Sequence, residues 1–370
     1  MKTRFRGEDM SGKFEYKSFA DINLNDNFFD SLKLDYPGFD EWFIRKAKED
    51  RKAFVLEDEL GIAAFVASKP ENEEIITNRG VLPEMDRLKI CTLKISDRHQ
   101  GERYGEGAIG LMLWTWQKSK CDQIYVTVFD KHESLINQLE KFGFVKTGYN
   151  QNGEGIYLRD KRSIDYSDAY KSFPFINPNF DYAGYLLIDA CYHDNMFAYS
   201  ELANHKELIE SIEKNVINGL SKIYVGKAMN KNHYIGEPIL IYRIDSSDAP
   251  GKRYRSCLTS FAIVTDIIMT KKWGKPIMTY EEVLGRIKNK SIFDEKELYE
   301  RYINDANVQV IELLYYGYFG SGNNVNMNWL DENGFWIKSE KYPTEIKLNS
   351  DEFKTILSEG KVNVSNVIIN

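Results

Sequence analysis

The sequence predicts an α+β protein built from two domains. Three observations carry that expectation. The chain has 370 residues, which is long for one compact core. Residues 87–144 run strand, glycine loop, helix, strand, helix. The second half changes texture, toward strands with helices between them, the pattern of an α+β module with a mostly antiparallel sheet. Apolar residues make up 42% and charged residues 28% of the chain, a globular composition that excludes a disordered one.

Residues 1–12 read as a loose polar start, and residues 13–19 as a first strand. Residues 24–34 and 39–50 carry apolar side chains at helical spacing, separated by Asp35-Tyr36-Pro37-Gly38. Residues 52–57 and 62–68 read as an antiparallel pair. The glutamate-rich run 69–78 is a loop or an extension of that strand. Residues 87–96 alternate apolar and polar and are rich in β-branched types, as a half-buried strand is. A polar loop, 97–105, leads into a helix over 106–118, whose apolar stripe is Ile109, Leu111, Met112, Leu113 and Trp116. A strand over 123–129 and a helix over 132–141 follow, the helix ending at Gly143. Short strands are expected at 145–149 and 155–158.

The segment 160–172 is charged and polar, and the domain boundary is placed there: a first domain over 1–160, a linker over 161–172 and a second domain over 173–370. In the second domain, strands are expected at 185–188, 223–226, 239–244, 256–265 and 308–318. Helices are expected at 207–218, 280–288 and 295–303.

Composition narrows the function. No apolar run approaches the roughly 18 residues of a membrane helix. The first residues lack the apolar core of a secretory leader, so a cytoplasmic protein is expected. Cys91, Cys121, Cys191 and Cys257 form no C-x-x-C pair, so neither a metal site nor a disulfide framework is expected. The net charge of −7 argues against nucleic-acid binding by the whole surface. Yet residues 220–290 hold 13 Lys and Arg against 6 Asp and Glu, a local balance of 13 − 6 = +7.

A helix start presents backbone N–H groups and partial positive charge, and glycines allow close approach to a phosphate. Gly101 and Gly105 just before a helix therefore suit a pyrophosphate, with Arg103 and the N–H groups from Glu106 onward beside it.

The strand, the loop with Gln100 at its first place and Gly105 at its last, and the Gly143-Phe144 pair after the second helix together resemble the GNAT N-acetyltransferases. The resemblance covers roughly residues 13–160. It implies the GNAT acyl-CoA N-acyltransferase fold and acetyl-CoA as the cofactor. It further implies that Leu93 and Ile95 hold the pantetheine arm through their main chain, and that Gln100, Gly101, Arg103, Gly105 and Glu106 hold the pyrophosphate. Arg103 departs from the family, standing where its first glycine is usual. Leu139 occupies the place of a tyrosine that often protonates the leaving thiolate, and His132 the place of a usual asparagine. His132, a residue type able to act as acid or base near neutral pH, is then the candidate acid or base, with Tyr104 and Tyr125 as replacement acids.

The second half is similar to the PUA-like superfamily, in particular its ASCH and EVE-type domains. The likeness rests on Lys227-Ala228, on Gly236-Glu237-Pro238-Ile239-Leu240-Ile241-Tyr242-Arg243 and on Leu258–Thr265. It implies a small β-barrel-type domain with helices that recognises RNA or a modified nucleoside. Lys227, Arg243, Lys252, Arg253 and Arg255 flank tyrosine-rich strands, a composition suited to single-stranded nucleic acid. Together these expectations describe an acetyl-CoA-dependent N-acetyltransferase whose second domain recruits an RNA or nucleoside-containing substrate. The alternative is a non-catalytic acyl-CoA-binding GNAT domain joined to a nucleic-acid reader.

Overall fold

The computed structural model describes residues 14–197, 218–227, 233–247, 250–336 and 343–369. The expected start over 1–12 and nearly all of the expected helix 207–218 lie outside the described residues. The chain divides into two compact units, Met1–Ile164 and Asp165–Asn370.

The first unit is a mixed α/β layer structure. Its strands are β1 (Glu15–Ser18), β2 (Lys52–Asp58), β3 (Gly61–Asn72), β4 (Ile75–Thr77), β5 (Gly80–Leu82), β6 (Asp86–Ile95), β7 (Gln123–Val128), β8 (Val145–Tyr149) and β9 (Gly155–Asp160). Seven form one sheet in the order β1-β2-β3-β6-β7-β9-β8, and β4 and β5 form a separate hairpin. The polar run at 69–78 is therefore both extension and hairpin: β3 continues to Asn72, and the chain then turns back through β4 and β5. Helices α1 (Asp30–Asp35) and α2 (Phe39–Lys48) cover the β2–β3 side through Phe19, Phe28, Phe29, Phe39, Phe43 and Phe65. These rings meet mostly edge-on or tilted, the favoured aromatic geometry. Cys91 joins this cluster half-buried, and burial pushes its thiol upward, so it is a packing residue.

Helix α3 (Tyr104–Lys118) links β6 to β7 and packs on β3, β6 and β7. Helix α4 (Glu133–Lys141) links β7 to β8. Gly143 ends α4 with φ of +79°, while Phe144 N–H reaches back to Leu139 O at 3.0 Å. That bond pattern needs a left-handed residue, which is why glycine stands there.

Among the described residues β6 and β7 are the only parallel neighbours in this sheet, and they pair over four residues alone, Arg87–Ile90 with Gln123–Val126. Beyond that, β6 runs on against β3 and β7 runs on against β9. The sheet thus forks at its centre.

In the second unit the strands are β10 (Gly184–Asp189), β11 (Ser221–Gly226), β12 (Pro238–Ile244), β13 (Cys257–Lys272), β14 (Lys275–Pro276), β15 (Val308–Tyr318) and β16 (Val325–Asn326). Among the described residues the order is β10-β12-β13-β15-β11, with β14 and β16 paired to β13. Only β10 and β12 are parallel. β10 and β11 are the two ends of this path. The helices Tyr280–Ile287 and Glu295–Asn304 pack around Val283, Leu298 and Tyr302 against β11 and β15. The first opens on a capping box, Thr279 with Glu282.

Candidate active site

The fork sets the geometry of the site. Ser96 N–H bonds to Ala63 O at 2.8 Å, so Ser96 and Ala63 are a hydrogen-bonded pair of the antiparallel ladder. Such pairs alternate, so the main chains of Lys94 and Thr92 face β3, and those of Leu93 and Ile95 face the opposite edge. That edge is the one β7 has left. The predicted pantetheine residues therefore turn their peptide groups into the fork.

The loop after β6 is a short 3-10 turn, Asp97–His99, followed by two left-handed residues, Gly101 (φ +84°) and Arg103 (φ +66°). Arg103 occupies the N-cap of α3. Its backbone explains why the resembled family uses glycine at that place. The Arg103 side chain lies back on its own helix, 3.0 Å from Glu106, and both are nearly buried. The guanidinium charge is thus met by Glu106. Gly101 and Gly105 have open space where a side chain would begin, with no atom within 4 Å of an added Cβ. The first turn of α3 starts beside this open ground, with its N–H groups directed out of the helix end. Gln100 is exposed and bonds to Asp97 at 3.2 Å.

The loop is pinned from outside by Asp58, at the end of β2. Arg98 reaches Asp58 at 2.9 Å and His99 Nε2 reaches it at 2.7 Å, while His99 Nδ1 meets Glu102 at 2.7 Å. Burial pushes the Asp58 carboxyl upward, but the bonds from His99, the Leu60 N–H and Arg98 outweigh it and hold it at about 2.

The candidate acids separate in space. Tyr104 is buried in the first turn of α3, edge-on to His99 at 5.3 Å, and acts as a packing ring. Tyr125 lies where β6 and β7 are still paired and gives its hydroxyl to Glu71, which also holds Lys69 at 2.6 Å. Burial first, and Glu71 second, raise the Tyr125 phenol well above its ordinary value. His132 stands at the N-cap of α4 but makes no side-chain cap there. Its ring is about half exposed, and Nε2 lies 3.9 Å from Asp35. Leu139, at the place of the family's tyrosine, is fully buried.

A pair that the sequence reading did not single out stands at the same end of β7. Tyr36, just past α1, donates its hydroxyl to Glu154 at 2.8 Å. Glu154 is 4% exposed and takes a second bond from Asn150 Nδ2 at 2.7 Å. Among the described residues its carboxylate has no ion pair. Tyr36 also lies 5.7 Å from the ring of Phe129, and Lys131 bonds to Asp35 at 2.6 Å. Asp35, Tyr36, Phe129, Lys131, His132 and Glu154 thus gather where β7 ends.

In the second unit the five residues expected to contact nucleic acid do not present a common free charge. Arg243 is buried and grips Asp194 with two bonds of 2.8 Å. Arg255 pairs with Asp245 at 2.5 Å, Arg253 pairs with Asp331, and Lys227 pairs with Asp305 at 2.9 Å. Lys252 is exposed. Ala228 lies outside the described residues. Thr259 is fully buried and bonds to Nε2 of His193 at 2.8 Å, whose Nδ1 meets Asp194 at 2.9 Å. This network ties the helix Ala190–Met196 to β12 and β13. No helix of the described residues is long and apolar enough to cross a membrane.

No family model and no curated protein matches the chain. Solved structures match its N-terminal part. One is Ard1 from Thermoplasma volcanium, 13% identical, with a TM-score of 0.32 over 40% of this chain and 97% of that one. Another is NAA60 of Arabidopsis thaliana in complex with acetyl-CoA, 14% identical, with a TM-score of 0.28 over 39% and 96%. A third is a chimera of the spermidine N-acetyltransferase SpeG from Vibrio cholerae, 18% identical, with a TM-score of 0.29 over 40% and 96%.

Proposed function

We propose that the first unit is a GNAT-type N-acetyltransferase that uses acetyl-CoA and acts on an amine in the cytoplasm. The observation that carries this reading is the fork. β6 and β7 part after four paired residues, and Leu93 and Ile95 turn their peptide groups into the gap. The glycine loop and the first turn of α3 follow directly.

Bound acetyl-CoA would supply an acetyl group activated as a thioester. In this chain, Gly101, Gly105 and the first turn of α3 would receive the pyrophosphate, and the Leu93 and Ile95 peptide groups the amide arm. Acceptance of the acetyl group requires a neutral amine, whose nitrogen bonds to the carbonyl carbon as the carbon–sulfur bond breaks. Glu154 is a buried carboxylate with hydrogen bonds and, among the described residues, no cation, so it suits an incoming ammonium group and its proton. Tyr36 orients it. His132, exposed at the start of α4, would give a proton to the departing sulfur, and the second proton lost from nitrogen as the amide forms would pass to water. The acceptor is an amine that is cationic in solution.

The deciding experiment is calorimetry with acetyl-CoA. A dissociation constant in the micromolar range is expected, about −8 kcal/mol. Gly105→Glu places a side chain in open space, so it folds normally yet fills the cradle with like charge. Binding should be lost in that variant. Unchanged binding would remove the loop from the site.

The second reading is a unit that binds acyl-CoA without catalysis. Leu139 favours it, because the place of the family's acid holds a buried aliphatic side chain. Measurable acetylation of a diamine by the purified protein, lost in His132→Ala, would decide against it. Recruitment of an RNA or nucleoside-bearing acceptor by a PUA-like second unit remains part of the proposal, supported by the likeness of β12 and β13. The ion pairs of Arg243, Arg253 and Arg255 narrow its charge contribution to few residues.

A further inference from the structure

The second unit holds a cleft of about 380 Å³ that none of the chemistry above uses. Thr265 of β13 lies on its wall. The ladder between β13 and β15 slips between Val264 and Asp266, which makes Thr265 the extra residue of a bulge. Bulges re-aim side chains and occur beside functional sites. The Thr265 hydroxyl is buried, and among the described residues it has no hydrogen-bond partner. A buried hydroxyl left so destabilises the fold unless something completes the bond.

The charge of the lining has one sign. Asp168 and Asp181 face the cleft, and among the described residues no Lys, Arg or His lines it. Asp168 uses Oδ1 to cap the N–H groups of Tyr170 and Lys171 at 2.8 and 3.0 Å. Asp181 is exposed and has no ion pair among the described residues. Aromatic rings complete the wall, including Tyr170, Phe180 and Tyr234. Tyr234 is fixed by its bond to Tyr182 O at 2.9 Å. Carboxylates with aromatic faces attract an organic cation, through charge and through the ring quadrupole. Among the described residues an anion would meet two like charges and no cationic side chain.

We propose that this cleft binds a small organic ammonium ion that also carries a hydroxyl group. The ammonium lies between Asp181 and the rings, and the hydroxyl completes the bond of Thr265. Choline is the probe of choice. Its quaternary nitrogen bears no proton and has no lone pair, so it cannot be N-acetylated, and with no acetyl-CoA in the calorimeter cell its binding is read apart from the first unit's reaction.

The test is titration calorimetry on the full chain with choline and with its neutral isostere, 3,3-dimethylbutan-1-ol. Choline should bind saturably with a dissociation constant below about 1 mM. The neutral alcohol should bind at least about tenfold more weakly. Asp181→Asn, at an exposed position that leaves folding intact, should weaken choline about tenfold. Thr265→Val should weaken it about fivefold. Equal affinity for the two probes, no saturation by about 10 mM choline, or unchanged affinity in Asp181→Asn would each overturn the proposal.

Discussion

Glu154 is the residue whose environment most constrains the chemistry. It is buried, bonded to a phenol and an amide, and without a cation among the described residues. Glu154→Gln keeps the shape and one acceptor oxygen for Asn150, turns the contact with Tyr36 into an amide N–H facing the phenol oxygen, and removes the charge. It should lower kcat/KM for the amine roughly 10- to 100-fold, mostly through KM, and leave the affinity for acetyl-CoA unchanged. Steady-state kinetics with a varied amine reads this directly. His132 makes a second, separable prediction. Because its side chain does not cap α4, His132→Ala should leave the melting temperature within about 1 °C of the parent. If its ring handles the proton, turnover should fall by roughly 10² to 10⁴. A drop in melting temperature with normal turnover would reassign the residue to structure.

At the scale of elements, the loop 97–103 depends on a clamp supplied by another strand. Asp58 at the end of β2 holds both Arg98 and His99. Asp58→Ala should release the loop. If the binding-competent form drops to about a tenth of the population, the acetyl-CoA dissociation constant rises about tenfold. The clamp also has a pH signature. The Asp58 carboxyl sits at about 2 in the folded chain, below its ordinary value of about 4. Its contribution is therefore complete above about pH 4 and disappears as pH falls through about 2. Acid titration of the parent and of Asp58→Ala, followed by circular dichroism, should converge at the low end.

How legible these elements were follows from the range of the forces that make them. β6, α3, β7 and α4 stand within one or two residues of their expected places, because period-2 and period-3.6 patterns are local. Arg103 departs from the resembled family at a place whose left-handed φ suits glycine, a conformation no local pattern announces. The Tyr36–Glu154 pair joins residues 118 apart, and neither carries a local signal of the other. Ion pairing of Arg243 with Asp194 and of Arg253 with Asp331 was equally invisible, since charge counts along a chain ignore partners brought by the fold. The bulge at Thr265 follows from how β13 meets β15 and leaves no mark on alternation.

For the whole molecule, the paired arginines change what salt should do. Replacing Lys252, Arg253 and Arg255 together by Ala would remove three cations, but two already hold carboxylate counterions. Any affinity of the full chain for a single-stranded oligonucleotide should therefore change its log–log salt slope by no more than about one phosphate contact, near 0.7. A shift near 2 would show that these pairs open on binding.

β13 meets β12, β15, β14 and β16, so the 16-residue spine of the second unit is paired on both edges over its first half, Cys257 to Ile263. A strand so enclosed should give up its amide protons to solvent only when the whole unit opens. Its three ladder slips, after Phe261, Val264 and Met269, are the exceptions. In heavy water the spine should therefore label unevenly, with slow stretches separated by faster positions. The position at Thr265 should slow when the neighbouring cleft is filled.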